Sequence, residues 1–292
     1  MNVITKEANE IKINFSVSMC VYENDNPVHF KEALESVINQ TKKPDEIVLV
    51  IDGPIPGSID QVIRNYENEV FFKVIRLPKN VGHGNARRIG LKNCSNELIA
   101  LMDADDISVP DRFEKQVKCF EQNEDISIVG GNIKEFINSV DKIVGIREVP
   151  QNDDEIKEYL KKRCPFNQVT VMFKRSLVEA AGNYIDWYNE EDYYLWIRMY
   201  QNGAVFKNLN DTLVLVRVGT EMYQRRGGWK YFMSEAKLQN YMKNHGIINF
   251  STFTYNVLIR FILQVLMSNK IRGYIFKKFA RKKVERTPVR GI

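Results

Sequence analysis

The sequence is poor in the residues that build metal and redox sites. Its 292 residues include only four cysteines and three histidines. The cysteines, at positions 20, 94, 119 and 164, form no C-x-x-C pair, which excludes a cysteine zinc site and a thioredoxin-like motif. The histidines are scattered and form no metal-binding set. We therefore expect reduced, mostly buried thiols in a cytosolic protein.

A long apolar run is also missing. No stretch reaches the roughly 18 uncharged apolar residues of a transmembrane helix, and the nearest approach, 253–267, is interrupted by Asn256, Arg260 and Gln264. The polar N-terminus does not resemble a secretory signal peptide. We therefore expect a cytoplasmic protein without a membrane-spanning helix.

Composition and charge place the chain among globular proteins. Hydrophobic residues make up 44% and charged residues 27%, which excludes a disordered, collagen-like or coiled-coil chain. The net charge of +5 is unevenly distributed. Residues 260–292 hold ten Lys/Arg and one acid, a net +9, so the remainder holds 32 basic and 36 acidic residues, a net −4. Such asymmetry suggests contact with an anionic surface.

Apolar, strand-like runs alternate with helical patterns in the first half. The predicted strands are 15–22, 46–52, 71–77 and 98–102, and the predicted helices are 29–40, 59–67, 85–93 and 111–122. This alternation indicates an α/β fold with a mostly parallel sheet covered by helices on both faces. Ligands of such sheets bind beyond the carboxyl ends of the strands, so polar residues there are the candidate site.

The second half is less regular. Strands are expected at 126–130 and 169–173, and helices at 153–162, 192–201, 229–244 and 251–268. We place a domain boundary near residue 225, which divides the chain into 1–225 and a helical, basic extension at 226–292.

The sharpest local feature is Asp103-Ala104-Asp105-Asp106, directly after an apolar strand. Crowded carboxylates repel one another, and partial burial increases that cost. A hard divalent cation such as Mg²⁺ or Mn²⁺ relieves the repulsion by binding one or two carboxylates together with phosphate oxygens. The alternative is a solvated turn in which Asp106 or Ser108 caps the next helix.

Three further segments carry candidate residues. Asp52 ends the second strand, where turn formation is the plainer interpretation. The glycine-rich loop 80–85 leads into a helix with Arg87 in its first turns, an arrangement that suits phosphate binding, although it lacks the dinucleotide fingerprint. Glu191 and Asp192 form a second acidic cluster, which either stabilises a helix start or supplies a general base.

In this order the motifs resemble glycosyltransferase family 2, whose members use nucleotide sugars and have the GT-A fold. The resemblance covers about residues 15–225 and extends to bacterial enzymes that build O-antigen, capsule or exopolysaccharide repeats. It rests on Val21-Tyr22-Glu23, strand-end Asp52, Asn80-x-Gly82, Asp103-Ala104-Asp105, and Glu191-Asp192 followed by Tyr-Tyr-Leu-Trp.

The resemblance implies a role for each matching residue. Asp103 and Asp105, as a DXD motif, would hold Mn²⁺ or Mg²⁺, with Asp105 the metal ligand at the diphosphate. Asp192 would be the catalytic base, with Glu191 beside it. The residues that would bind the UDP-sugar are Val21, Tyr22, Glu23, Asp52, Asn80, Gly84, Arg87, Asp103 and Ala104. Arg225 and Arg226 would meet the leaving diphosphate or an acceptor phosphate.

The resemblance also implies an inverting hexosyltransferase, since one displacement by an acceptor hydroxyl turns an α-linked donor into a β-glycoside. Its acceptor would be a glycan, often linked to a polyprenyl diphosphate. The two other functions we considered are a non-catalytic nucleotide-sugar-binding protein on a membrane and a nucleotidyltransferase.

The basic C-terminal segment favours a membrane surface as a partner. Residues 253–279 mix bulky apolar side chains with Lys and Arg, as in a helix that lies in a membrane interface. This predicts a peripheral protein on the inner face of the cytoplasmic membrane. The alternative is a C-terminal helix packed on the body, and the absence of an aromatic-basic motif argues against nucleic-acid binding.

Overall fold

A computed structural model describes residues 13–219, 227–269, 271–273 and 281. Its strands are β1 (Phe15–Val21), β2 (Glu46–Ile51), β3 (Phe72–Arg76), β4 (Leu98–Met102), β5 (Ile107–Ser108), β6 (Ile126–Ile137), β7 (Ser139–Arg147), β8 (Met172–Lys174) and β9 (Val205–Arg217). Its α-helices are α1 (Pro27–Ile38), α2 (Gly57–Arg64), α3 (His83–Asn93), α4 (Arg112–Gln122), α5 (Asp153–Leu160), α6 (Arg175–Ala180), α7 (Glu191–Gln201), α8 (Trp229–Asn244) and α9 (Phe250–Phe261). A 3₁₀ turn at Gln168–Thr170 and a π-helical turn at Ile262–Leu266 complete the described elements.

These strands form one mixed sheet in the order β3-β2-β1-β4-β8-β6-β9-β5, with β7 paired to β6. Strands β3, β2, β1 and β4 are mutually parallel, and β6 runs parallel to β9. Only β5, β7 and β8 pair antiparallel to their neighbours. The expected mostly parallel sheet is therefore confirmed, and the carboxyl ends of β1, β2 and β4 meet at one edge.

The apolar strands bury side chains on both faces, which produces two cores. One core packs β1, β2 and β4 against α1, α2 and α4. The other packs the opposite face against α3, α5, α6, α7 and α8. Helix α1 begins at Pro27, two residues before the expected start at residue 29, because Asn26 Oδ1 caps it by accepting hydrogen bonds from the amides of Val28 and His29, and Pro27 occupies the first turn.

The C-terminal helices share the second core. Leu238 and Met242 of α8 are fully buried in it. In α9 the buried Asn256 Nδ2 donates to the Lys161 carbonyl at 3.0 Å and to Gln239 Oε1 at 2.8 Å. Helices α8 and α9 are thus packed on the body. Among the residues the structure describes, no helix has the length and apolarity that a bilayer crossing requires.

Strand β9 was not expected from the sequence. Its polar middle hides the strand pattern, because Asn208, Asn210 and Asp211 interrupt the apolar alternation. Asn208 is fully buried, and its Nδ2 donates to the carbonyls of Pro150 and Pro165, so the amide nitrogen of this polar residue is paired at a core position. Partnered by β9, strand β6 continues to Ile137, past the end expected at Gly130.

Candidate active site

The acidic turn begins where β4 ends. Asp103 Oδ1 accepts a hydrogen bond from Arg87 Nη2 at 2.6 Å. Arg87, in the first turns of α3, has a side chain only 5% exposed, against 32% for Asp103. Burial alone would raise the pKa of Asp103, but Arg87, with smaller contributions from His83 and Arg112, holds that pKa below its ordinary value. Asp103 is therefore ionised and fixed in position.

A second arginine is hydrogen-bonded to the backbone of the same strand, β4. Arg112 of α4 is completely buried, and its Nη2 donates to the Leu101 carbonyl at 2.8 Å. Its Nε donates to Gln116 Oε1 at 3.0 Å, and Gln116 in turn donates to the carbonyls of Val129 and Thr170. Burial lowers the pKa of Arg112 to about 9. Sequence reasoning missed this residue, because nothing in a helical pattern marks an arginine as buried.

The other acids of the turn crowd the same region. Asp106 is 4% exposed and accepts the Arg217 amide hydrogen bond at 2.8 Å. Burial raises the pKa of Asp106 well above its ordinary value, and Asp105 and Asp103 add to the shift. Asp25, which follows β1, shows the same upward shift: burial, followed by the charges of Asp105 and Asp103, raises its pKa to about 6.

The alternative of a simple helix cap is wrong for this turn. Helix α4 begins after Asp111, and Asp106 and Ser108 make no capping bond to it. Asp105 is exposed, whereas Ala104 is buried between the two acids of the motif.

The carboxylate set fits a hard divalent ion that takes most of its ligands from a substrate. Within the described ranges, no group of three His, Cys, Asp or Glu side chains is gathered closely enough to hold a metal alone. Asp103 is hydrogen-bonded to Arg87, and Asp105 lines the same cleft two residues further along the turn. Mg²⁺ and Mn²⁺ accept one or two carboxylates and complete their shell with phosphate oxygens.

The glycine-rich loop is tied to the end of β2. Asp52 Oδ1 accepts the Val81 amide hydrogen bond at 2.7 Å, and Asn80 Nδ2 donates to the Asp52 carbonyl at 3.3 Å. Gly53 has φ +92°, and a Cβ there would lie 2.6 Å from Asn80 N. Only glycine therefore allows this close approach. The structure brings Asp52 and Asn80 together as the sequence suggested.

The end of β1 lies beside this loop. The Asp52 amide donates to the Val21 carbonyl at 2.8 Å, which joins the two strand ends. Val21 is buried, while Tyr22 and Glu23 are exposed. The Tyr22 amide donates to Asp25 Oδ2 at 2.9 Å, so the segment turns back toward the acidic region.

Helix α7 presents the second acidic pair. Glu191 Oε1 lies 4.0 Å from Arg87 Nη1, and Gly84 packs against Glu191, since a Cβ on Gly84 would lie 3.6 Å from the Glu191 side chain. Burial, followed by the charge of Asp192, raises the pKa of Glu191 to about 7. Burial also raises the pKa of Asp192, whose Oδ2 lies 3.9 Å from Cys164 Sγ.

A cleft of about 970 Å³ gathers part of the predicted site. Its lining includes Arg87, Asp103, Asp105, Glu191 and Asp192. The remaining predicted residues do not line it: they are Val21, Tyr22, Glu23, Asp52, Asn80, Gly84 and Ala104. Arg225 and Arg226 fall outside the described residues. The acidic turn and the α7 pair thus face one space, with the β1 and β2 ends beside it.

Three other residues of the cleft lie in segments that the sequence singled out but were given no role in the site: His83, Asp106 and Glu190. Sequence reasoning missed the rest, which are Arg147, Lys162, Arg163, Arg217, Glu235 and Arg260, besides apolar residues such as Ile259 and Leu263. These side chains come from separate elements, and no spacing in the sequence connects them. The run Lys161-Lys162-Arg163 after α5 was the one local signal available.

The mostly parallel sheet, the acidic turn after β4 and the glycine-rich loop 80–85 beside it define a GT-A fold. Solved structures share it: TarS of Staphylococcus aureus (residues 1–349) in complex with UDP-GlcNAc aligns with TM-score 0.63 at 18% identity, over 86% of this chain and 73% of TarS 1–349. The expected GT-A fold is confirmed.

Sequence comparison gives the family. The sequence model of glycosyl transferase family 2 matches residues 16–182, and the chain belongs to this family. An uncharacterised glycosyltransferase of Haemophilus influenzae is 39% identical, over 92% of this chain and all of the relative. An Escherichia coli protein described as a UDP-Gal:alpha-D-GlcNAc-diphosphoundecaprenol beta-1,3-galactosyltransferase is 35% identical, over 92% of this chain and 97% of the relative. The expected family is confirmed, and the protein is a glycosyltransferase.

Proposed function

We propose that this enzyme is a metal-dependent, inverting hexosyltransferase that moves a sugar from a UDP-sugar to a hydroxyl of a lipid-diphosphate-linked glycan in bacterial surface polysaccharide synthesis. The observation that carries the proposal is the shared cleft, in which Arg87 lies between the acidic turn and the α7 acids. The similarity to the E. coli galactosyltransferase supports the donor and acceptor classes.

The donor end is the side of Asp103 and Asp105. Arg87 neutralises Asp103 and fixes it toward the ribose or sugar of the donor, while the β1 and β2 ends border the nucleotide. A bound Mn²⁺ or Mg²⁺, held by Asp105 with Asp103, would stabilise the charge that develops on the leaving diphosphate. The loop 80–85 leads into the N-terminus of α3, where the positive end of the helix dipole favours an anion such as the diphosphate.

The acceptor end is the side of Asp192. A general base must be ionised and within hydrogen-bond reach of the attacking hydroxyl. Asp192 lines the cleft, and burial raises its pKa, which makes its carboxylate a better proton acceptor. Glu191, which faces Arg87, orients the acceptor or the base. Attack on the anomeric carbon opposite the leaving diphosphate forms the new glycosidic bond in one displacement and inverts the centre.

The decisive experiment follows the product and its stereochemistry. With UDP-galactose, Mn²⁺ and a GlcNAc-α-diphosphate-lipid acceptor, we expect UDP release and a β-linked product by NMR. Asp192→Asn should lower kcat at least a thousandfold while UDP-sugar still binds. Asp186→Asn, a nearby aspartate that does not line the cleft, is the matched control.

Other results of these assays would contradict the proposal or indicate one of the two alternative functions. An α-linked product contradicts inversion, and full turnover by Asp192→Asn contradicts the proposed base. UDP binding without turnover across UDP-glucose, UDP-galactose and UDP-N-acetyl sugars would indicate a non-catalytic binding protein. Release of pyrophosphate from a nucleoside triphosphate would indicate a nucleotidyltransferase.

We further propose that residues 1–225 are the catalytic domain and that 226–292 attach it to the inner face of the cytoplasmic membrane. Exposed apolar side chains on the C-terminal elements support this, at Trp229 (60% exposed), Leu258 (55%) and Leu266 (64%). Binding to anionic liposomes should fall when Lys277, Lys278, Lys282 and Lys283 are changed to Gln. This variant keeps Arg281, because its Nε donates to buried Glu135 at 2.7 Å. Unchanged liposome binding by the variant would contradict the proposal.

A further inference from the structure

Two cations of the cleft have no partner within the described part of the chain. Lys162 and Arg163 line the cleft in the turn after α5, and neither side chain makes a hydrogen bond or ion pair to a described residue. Other cleft arginines are engaged: Arg87 with Asp103, and Arg260 with Glu235 at 3.1 Å. Arg163 is half-buried and Lys162 is exposed, so the two cations present an unneutralised positive charge to the cleft, which favours an anionic ligand.

The turn that carries these cations adjoins the proposed base. Cys164 follows Arg163 directly, and its Sγ lies 3.9 Å from Asp192 Oδ2. An anion held by Arg163 or Lys162 would therefore lie close to Asp192, whereas the donor-side pair of Arg87 and Asp103 approaches α7 at Glu191. The cations are thus placed beside the proposed base, where the acceptor must bind.

Two apolar side chains line the cleft near the turn that carries the cations, beside the ion pair of Arg260 and Glu235. The Lys162 carbonyl accepts a hydrogen bond from Arg260 Nη2 at 2.8 Å, which joins the turn to α9. Next to Arg260, Ile259 lines the cleft, and Leu263 follows on the next turn. Leu258, the neighbour of Ile259 in the sequence, is 55% exposed. The cleft wall thus offers a carboxylate at Asp192, two cations after α5, and two apolar side chains of the C-terminal elements.

We propose that Lys162 and Arg163 bind the diphosphate of a lipid-linked acceptor, with its sugar at Asp192 and its hydrocarbon chain leaving past Ile259 and Leu263. The turn that carries the cations is joined to Asp192 through Cys164 and to α9 through Arg260, so it lies next to a group for each remaining part of such a molecule, the sugar and the hydrocarbon. The inference rests on the proposed function for its acceptor class, and it assigns the acceptor subsite to residues that no motif marked.

The test measures binding separately from transfer. Undecyl diphosphate, which has no sugar, is titrated into the full-length protein by calorimetry with the donor site saturated by UDP and Mn²⁺. We expect Lys162→Gln/Arg163→Gln to raise the Kd by about tenfold or more, since each lost charge-assisted hydrogen bond costs that order of affinity. Lys161→Gln is the matched control: this neighbour pairs with Glu158 and lies outside the cleft lining, so its Kd should stay within about twofold.

A second measurement uses two acceptors in the transferase assay. The double variant should raise KM for GlcNAc-α-diphosphate-undecyl about tenfold, leave kcat nearly unchanged, and leave KM for undecyl α-GlcNAc and for the donor unaffected. Arg163→Lys/Lys162→Arg should keep most of the binding. No binding of undecyl diphosphate by the wild type, an unchanged Kd in the double variant, or a rise confined to donor KM would overturn the inference. Absence of transfer with every acceptor would instead overturn the proposed function, because the calorimetric result does not depend on it.

Discussion

Arg87 Nη2 lies 2.6 Å from Asp103 Oδ1 in an ion pair whose arginine side is almost completely buried. The same guanidinium lies 4.0 Å from Glu191 Oε1, so one arginine connects the donor end of the cleft to the helix that carries the proposed base. Breaking a buried pair by removing one partner leaves an uncompensated charge, which costs about 3 kcal/mol.

Arg87→Gln should therefore impair both ends of the cleft. We expect the free energy of unfolding to fall by about 3 kcal/mol, measured by urea denaturation, and kcat/KM to fall at least about a hundredfold. Arg88→Gln, an exposed neighbour on α3, should change neither quantity appreciably. Equal behaviour of the two variants would show that the Arg87–Asp103 pair has no special role.

The pH dependence of the rate should report Glu191. Burial and the charge of Asp192 raise its pKa to about 7, so its carboxylate forms as the pH rises through about 7. If ionised Glu191 orients the base or acceptor, kcat/KM increases over that range and levels off above it. Glu191→Gln should lower the plateau and remove this limb from the profile. Because Arg87 lowers the pKa of Glu191, the rising limb of the pH–rate profile should move to higher pH in the Arg87→Gln variant. An unchanged limb in Glu191→Gln would assign the titration to another group.

The Mn²⁺ requirement of the enzyme should be sensitive to substitution of Asp105. We expect Asp105→Asn to raise the Mn²⁺ concentration needed for half-maximal UDP release by at least tenfold, because a neutral amide is a much weaker ligand for a hard cation. Asp111→Asn is the control, since Asp111 pairs with Lys115 outside the cleft. Full activity in the presence of a strong chelator would contradict metal dependence.

Gly53→Ala should disturb the glycine-rich loop 80–85 without changing any charged side chain. The residue has φ +92°, and the added Cβ would lie 2.6 Å from Asn80 N, so the loop must move away from Asp52. We expect a loss of about 2 kcal/mol in the free energy of unfolding and a several-fold increase in donor KM. Gly57→Ala, where an added Cβ meets nothing within 4 Å, should leave donor KM unchanged. If both variants bind donor normally, the loop does not border the nucleotide.

The sequence predicted those parts of the molecule that local patterns determine. The apolar runs identified β1, β2 and β4 nearly to the residue, and the acids at their ends followed from the rule that ligands bind there. Strand β9 was not predictable in this way, because the partners of the buried Asn208 side-chain nitrogen are carbonyls from distant segments. Lys162 and Arg163 were also missed, since only tertiary packing brings the turn after α5 next to Asp192.

The final prediction concerns Arg112, the completely buried arginine beneath the acidic turn. Arg112→Met keeps most of the side-chain volume but removes the donors to the Leu101 carbonyl and Gln116 Oε1. Each buried acceptor left unpaired costs about 1–3 kcal/mol, so we expect the free energy of unfolding to fall by about 3 kcal/mol. Lys118→Met, an exposed change on the same helix, should stay within about 0.5 kcal/mol. Because Leu101 lies two residues before Asp103, Arg112→Met should also raise donor KM, even though its side chain lies outside the cleft lining. An equally stable Arg112→Met variant would show that the apolar replacement compensates for the lost hydrogen bonds, as well-packed hydrophobic residues do at some buried charged sites.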